Sequence, residues 1–165
     1  MSLTLTLADA APALQSLIFT AAFASIGIAA LGSAYGCGVA GCAAVGAWKK
    51  CYAQNRPAPF QLLIFAGAPL SQTIYGMIIM FIINGMAAAA PEGSAVLFLT
   101  VGILSGIAMG FSAVWQGRAA AAAADAFGDT GKGFANQLMV LGIVETVAIF
   151  VMAFSIVLLS GFKPA

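Results

Sequence analysis

Gln137-Leu-Met-Val-Leu-Gly-Ile-Val-Glu-Thr-Val-Ala-Ile-Phe-Val-Met-Ala-Phe154 holds one carboxylate, Glu145, inside an otherwise uncharged apolar run from Gly133 to Phe162. A helix needs about 20 such residues to cross a bilayer. Glu145 lies near the middle of the run. An ionised carboxylate at that depth costs on the order of 3 kcal/mol on insertion scales, so a chain that keeps one has something to bind it.

The rest of the chain repeats the apolar character. It is 62% hydrophobic and 7% charged, and it contains no His. A soluble domain of this length exposes far more charge. The near-zero net charge argues against nucleic-acid binding, which needs a basic face. The charges sit in short gaps: none occurs between Asp9 and Lys49, between Arg56 and Glu92, or between Glu92 and Arg118. Four membrane-spanning helices follow, and the runs do not alternate as barrel strands do. The fold class expected is an all-α membrane protein. Met1 to Ala13 has no Lys or Arg, so it lacks the basic start of a signal peptide and the first helix is expected to be retained.

The first helix is expected over 12–48. Ala24, Ile28, Gly32, Gly36, Ala40 and Ala44 recur at four-residue steps. Helices in lipid associate through close packing at small residues, so this stripe should meet another helix at short range. An ordinary helix pair and a crowded inner ring of helices both fit it. Cys37, Cys42 and Cys51 form an odd set without metal-ligand spacing, and they read as packing residues. A polar link, 49–59, carries Lys49, Lys50 and Arg56, which places it on the cytoplasmic side.

The second helix is expected from about Pro59 to Met86. Its centre, Ala68-Pro-Leu-Ser-Gln-Thr-Ile-Tyr75, is unusually polar for a span. Pro69 lacks an N–H and so frees the carbonyl of Phe65. Ser71, Gln72 and Tyr75 add side-chain oxygens within about one turn. The outer link around Glu92 holds no base and suits the opposite side. A third helix begins near Ala95, bears Gly102, Gly106, Gly110 and Gln116, and approaches a second cytoplasmic link over 125–133. The fourth runs from about Phe134 to Ser160. Four spans put both termini on the extracytoplasmic side.

The halves resemble each other. Residues 25–34 match 104–113, with Gly27-Ile-Ala29 on Gly106-Ile-Ala108 and Ser33 on Ser112. In this register Cys37 lies opposite Gln116, and Gln72-Thr73 falls on Glu145-Thr146. The chain therefore reads as two tandem helical hairpins, 12–90 and 94–160, with the carboxylate kept in the second. Counted from the cytoplasmic ends, Gln72, Gln116 and Glu145 lie roughly 13–18 Å deep, so they share a level with Ser71.

Carboxylate, amide and hydroxyl oxygens suit a small hard cation. They can replace the hydration shell of Na⁺ as an ion filter does. Tyr75 is placed to hydrogen-bond Glu145 and hold it closed. A proton and Na⁺ should compete for the acid. Once loaded the site is neutral and can face lipid; emptied, it is charged and needs water or a cationic partner.

Taken together, Pro69, Ser71-Gln72, Tyr75-Gly76, Phe111-Ser112, Gln116-Gly117 and Val144-Glu145-Thr146 resemble the duplicated proteolipid, or K subunit, of V-type (vacuolar/archaeal) rotary ATPases. The resemblance covers nearly the whole chain. It implies identical subunits closed into a ring, turned by ATP hydrolysis in a separate soluble head, so that the chain is not catalytic by itself. It implies partners too: lipid, a stator subunit that supplies an Arg, and central-stalk subunits at the cytoplasmic loops. For the sodium-carrying members it implies an ion held by Ser71, Gln72, Gln116, Glu145 and the carbonyl of Ala68, with Tyr75 beside it. Ser71 stands where Thr is usual and Ala68 where Leu is usual, and Ser keeps the oxygen. Na⁺ is the cargo expected, with H⁺ as the alternative. A small secondary transporter with an internal repeat is a different class that also places an acid at the midplane.

Overall fold

The computed structural model describes residues 7–91 and 93–161, and side chains from Pro12 onward within them. Glu92 and both chain ends, to which expectations about the outer side were attached, lie outside the described residues. The described chain is all helical: α1 (Leu7–Ala53), α2 (Leu62–Gly67), α3 (Ser71–Met86), α4 (Ala95–Thr130) and α5 (Phe134–Ser160). Helices α2 and α3 are two parts of one span, joined by a 3-10 turn over Ala68–Leu70. Four segments are long and apolar enough to cross a membrane: Pro12–Ala53, Leu62–Ala89, Ala95–Thr130 and Phe134–Ser160.

The first helix runs past its expected end at Trp48. Lys49 and Lys50 stand on its last turns rather than in a loop. No helix breaker occurs before Asn55, which adopts a left-handed φ of 52°. The Asn55 N–H then donates to Tyr52 O and the Arg56 N–H to Cys51 O, a Schellman end that satisfies the last carbonyls. The third helix likewise swallows most of the expected 125–133 link. It ends only at Gly131, whose φ of 64° lets its N–H reach Phe127 O at 2.7 Å. The second span starts at Leu62, three residues later than expected.

The small-residue stripe of α1 packs directly against α4. A Cβ added at Gly32 would lie 2.1 Å from Gly110 O, and one at Gly117 would lie 2.2 Å from the Cα of Gly36. A Cβ at Gly102 would meet Ala21 O at 2.1 Å. The two backbones therefore touch along their length, which only glycine permits at these points. Helix α3 is held to α1 in the same way. A Cβ at Gly76 would meet Ser25 O at 2.6 Å, and Ser25 Oγ donates to Gly76 O at 3.0 Å.

Helix α5 is different. Of its residues only Leu141, Ala148 and Leu159 are buried. Met139, Val140, Ile143, Val147, Phe150 and Phe154 are exposed, as suits a helix whose outer side is solvated by lipid.

The interior is divided. One apolar cluster gathers Ile18, Ala29, Ile79, Ile83, Phe98, Met109 and Ala148. The other gathers Ala40, Ala47, Leu62, Phe65, Ala120, Phe127, Phe134 and Leu141. Between them every helix contributes small or polar residues: Ser33 and Gly36 on α1, Pro69 and Gln72 on the second span, Ser112 and Gln116 on α4, and Glu145 on α5. The site lies in this waist.

Candidate functional site

Pro69 sets the local geometry of the second span. Without an N–H it cannot continue the α-helical ladder, and the chain tightens into the 3-10 turn at that point. Ala68 N–H still bonds Ile64 O, and Ser71 N–H bonds Ala68 O. Pro69 is buried, and its Cβ would lie 2.8 Å from a Cβ at Gly36. Helix α3 restarts at Ser71 with Gln72 turned inward and fully buried.

Glu145 receives two donors. Tyr75 Oη donates to Oε1 at 2.6 Å, and Gln116 Nε2 donates to Oε2 at 3.2 Å. The same Gln116 amide also bonds Leu141 O at 3.1 Å, one turn earlier on α5. Gln72 Nε2 donates to Gln116 Oε1 at 2.8 Å and to Ser112 Oγ at 3.3 Å. Ser112 Oγ in turn donates to Val144 O at 2.9 Å. Ser71 Oγ lies 3.3 Å from Gln72 Oε1 and 3.2 Å from Ala68 O. Its single hydrogen can serve one of these at a time.

The six residues singled out in the sequence thus form one chain of contacts. Tyr75 and Gln116 touch Glu145 directly. Gln72 reaches it through Gln116, Ser71 through Gln72, and Ala68 through Ser71. The carbonyl of Phe65, which the proline argument freed, takes no part in these bonds. Sequence reasoning missed Ser112 as a site residue. It noticed Phe111-Ser112 only as part of a pattern. The signal was present, since Ser112 lies one turn before Gln116 on the same face.

The repeat is not matched by symmetric chemistry. Ser112 bridges α4 to Gln72 and α5, while its counterpart Ser33 is buried with an Oγ that has no hydrogen-bond partner. Gln72, the counterpart of Glu145, points into the second hairpin's network rather than forming one of its own. The polar groups of both hairpins converge on one acid.

The amides present their groups unequally. Gln116 offers its NH₂ to the carboxylate, while Ala68 O, Ser71 Oγ and Gln72 Oε1 collect on the α2–α3 side. A cation bridging both sides needs Gln116 turned about its last torsion, so that Oε1 faces inward. No cluster of three or more His, Cys, Asp or Glu occurs among the described residues, and the groups around Glu145 are hard oxygen and amide donors. The cysteines are free thiols, and Cys51 packs its Sγ 3.6 Å from Gly128 O, remote from Glu145.

Far along the same helices, Lys50 Nζ pairs with Asp125 at 3.0 Å and Asp129 at 3.4 Å. Arg56 donates to the carbonyls of Asp129 and Gly128. These contacts tie the link between the first two spans to the end of α4.

A bundle of apolar helices packed around a part-buried, doubly hydrogen-bonded carboxylate is the arrangement of a membrane protein that keeps an acid among its spans. Residues 99–158 match the family model of the ATP synthase C subunit. The match takes in nearly all of α4 and α5, including Ser112, Gln116 and Glu145. Over this stretch the chain is similar to the proteolipid c-subunits, a family of ion-translocating rotor components that are not catalytic by themselves. No curated protein matches the chain. The four apolar helices and this similarity describe an integral, multi-pass membrane protein.

Proposed function

We propose that the chain is the rotor-ring subunit of a V-type ATPase and carries Na⁺ on Glu145. The observation that carries this reading is the donor set on the acid. Tyr75 Oη and the Gln116 amide both lie within hydrogen-bond distance of Glu145, at 2.6 and 3.2 Å. That suits an ionised carboxylate, whose charge a bound cation balances. The oxygens of Ala68, Ser71 and Gln72 stand on the facing helix, ready to complete an oxygen shell, with Gln116 turning to join them.

Loading then means that Na⁺ sheds water for these oxygens, and Tyr75 holds the carboxylate in place. Unloading leaves a bare charge, which is tolerable only beside water or a cationic group such as a stator Arg. The exposed apolar faces suit identical neighbours in a ring. The end bearing Lys49, Lys50 and Arg56 is assigned to the cytoplasm by its positive charge, where central-stalk subunits would dock.

The test is carbodiimide labelling of Glu145 in the detergent-solubilised protein, with imaging of the particle. Protection by Na⁺ at a pH where the acid is otherwise reactive, in a closed ring, is the expected result. Labelling indifferent to Na⁺ turns the reading to the proton. A monomer or dimer turns it to a secondary transporter.

A further inference from the structure

The repeat makes one seam inside the chain and leaves the two halves of a second seam apart. Helices α1 and α4 run parallel, and their backbones touch where Ala21 meets Gly102, Gly32 meets Gly110 and Gly36 meets Gly117. In each pair one residue belongs to the first hairpin and one to the second. The register that sets residues 25–34 on 104–113 gives all six a counterpart in the other half. Thr100, Phe111 and Trp115 on α4 stand where α1 has Ala21, Gly32 and Gly36. Phe23, Leu31 and Gly38 on α1 stand where α4 has Gly102, Gly110 and Gly117.

These counterparts lie bare. Phe23 is 70% exposed, Leu31 73%, Phe111 65% and Trp115 56%. Thr100 and Gly38 are exposed as well, and a Cβ on Gly38 would meet nothing within 4 Å. Lipid tolerates bare apolar side chains, so exposure alone decides nothing. The pairing decides it: the two sets are the two sides of a contact that the chain already makes once. A single copy cannot bring them together. At 100° per residue the bare face of α1 stands about 140° round from its glycine face, and that of α4 about 140° round in the opposite sense. The two faces therefore lie on the outer flanks of the α1–α4 pair, with both helices between them. Because the helices are parallel, both turns go toward the same side of the pair. A head-to-tail contact through these faces repeats from copy to copy, and the row bends one way, as a closed ring requires.

We infer that α4 of one copy seats on α1 of the next through these counterparts, with Trp115 over Gly38, Phe111 against Leu31 and Thr100 against Phe23. The inference rests on the rotor-ring reading and adds which faces meet and how closely. Inside a chain, backbone touches backbone. Between copies, an indole and a phenyl ring stand in the gap. The α1 and α4 helices of the ring are therefore spaced alternately close and wide, and the assembly comes apart into whole four-span chains.

The test is a disulfide between positions 38 and 115. Gly38→Cys and Trp115→Cys are combined in a chain whose Cys37, Cys42 and Cys51 are replaced by Ala, and the membranes are oxidised. Within one chain the two new thiols stand on opposite flanks, about 10 Å apart at Cα and pointing away from each other, beyond the reach of a disulfide. The expected product is a ladder of dimers, trimers and higher species that collapses on reduction, while either Cys alone gives no ladder. A product that stops at the dimer overturns the inference, because a head-to-tail contact propagates. Imaging of the unoxidised particle separates the two readings: a closed ring without a ladder removes this contact and leaves the rotor ring standing, whereas a monomer removes both. Should the cysteine-free chain fail to fold, benzoylphenylalanine in place of Trp115 in the otherwise unaltered chain decides the question. Its photoproduct is expected on α1 of a second copy, at or beside Gly38. A photoproduct confined to lipid or to α5 overturns the inference.

Discussion

Tyr75 and Glu145 are 70 residues apart in sequence, yet the phenol oxygen sits 2.6 Å from the carboxylate Oε1. The bond joins the second span to α5 and therefore one hairpin to the other. A hydrogen bond to a charged group contributes about 1.5–3 kcal/mol, which corresponds to roughly 10- to 100-fold in binding. Tyr75→Phe keeps the ring and removes only the hydroxyl. Na⁺ protection of Glu145 should then require a Na⁺ concentration higher by about that factor. Unchanged protection in a titration would remove Tyr75 from the ion-holding role.

Glu145→Gln should abolish carbodiimide labelling and ion transport together while leaving the folded, assembled particle intact. The amide is isosteric and removes the charge that lipid disfavours. Transport assays in vesicles, alongside size measurement of the solubilised protein, check both halves of this expectation.

Gln116→Leu separates the two candidate cargoes. It deletes one donor to Glu145 and the amide oxygen proposed for Na⁺, but it leaves Tyr75 in place. Na⁺ protection should weaken strongly while the labelling reaction itself persists. The substitution also takes from Gln72 Nε2 the shorter of its two acceptors and from Leu141 O its side-chain donor, so a loss of stability of about 1–3 kcal/mol is expected in thermal unfolding.

Gly32→Ala should separate α1 from α4, because its Cβ would fall 2.1 Å from the Gly110 carbonyl oxygen. Backbone cannot yield as a side chain can, and overpacking of this kind costs typically about 1–3 kcal/mol or more. Gly38→Ala is the control. Nothing lies within 4 Å of its Cβ, so the change should be neutral, or stabilising by roughly 0.5–1 kcal/mol through helix propensity. Thermal melting of the two variants in detergent distinguishes them.

The paired serines of the repeat should respond in opposite ways. Ser112→Ala removes a bridge from α4 to Val144 O and should cost about 1 kcal/mol. Ser33→Ala removes a buried hydroxyl that has no partner and should be neutral or stabilising. Equal losses at the two positions would show that Ser33 is bonded after all, and the asymmetry between the hairpins would fall.

The four apolar runs were readable because lipid leaves a spanning chain so few options. Helix ends were less so. Lys49 and Lys50 look like loop residues by charge, but a helix can leave the bilayer without ending, and here Asn55 rather than charge stops it. The convergence of Gln72, Gln116 and Glu145 on one level followed from rise per residue alone. Which way each side chain turns did not. The inward turn of Ser112, the idle hydroxyl of Ser33 and the direction of the Gln116 amide depend on how α1, α3 and α4 approach one another, and spacing along one helix carries no information about that. The lone Arg118 was visible as a charge, and only its place on the face turned away from Gln116 separates it from the acid.

The sparse seating of α5 has a consequence for how the proposed ion would be held. Few of its side chains are enclosed, and at the waist it is fastened by Tyr75, Gln116 and Ser112 through Glu145, Leu141 O and Val144 O. Whatever disturbs the occupant therefore disturbs the grip on the whole rod. Hydrogen exchange along α5 should quicken when the carboxylate is stripped of its counter-charge, so departure of the ion and loosening of its carrier would be a single event.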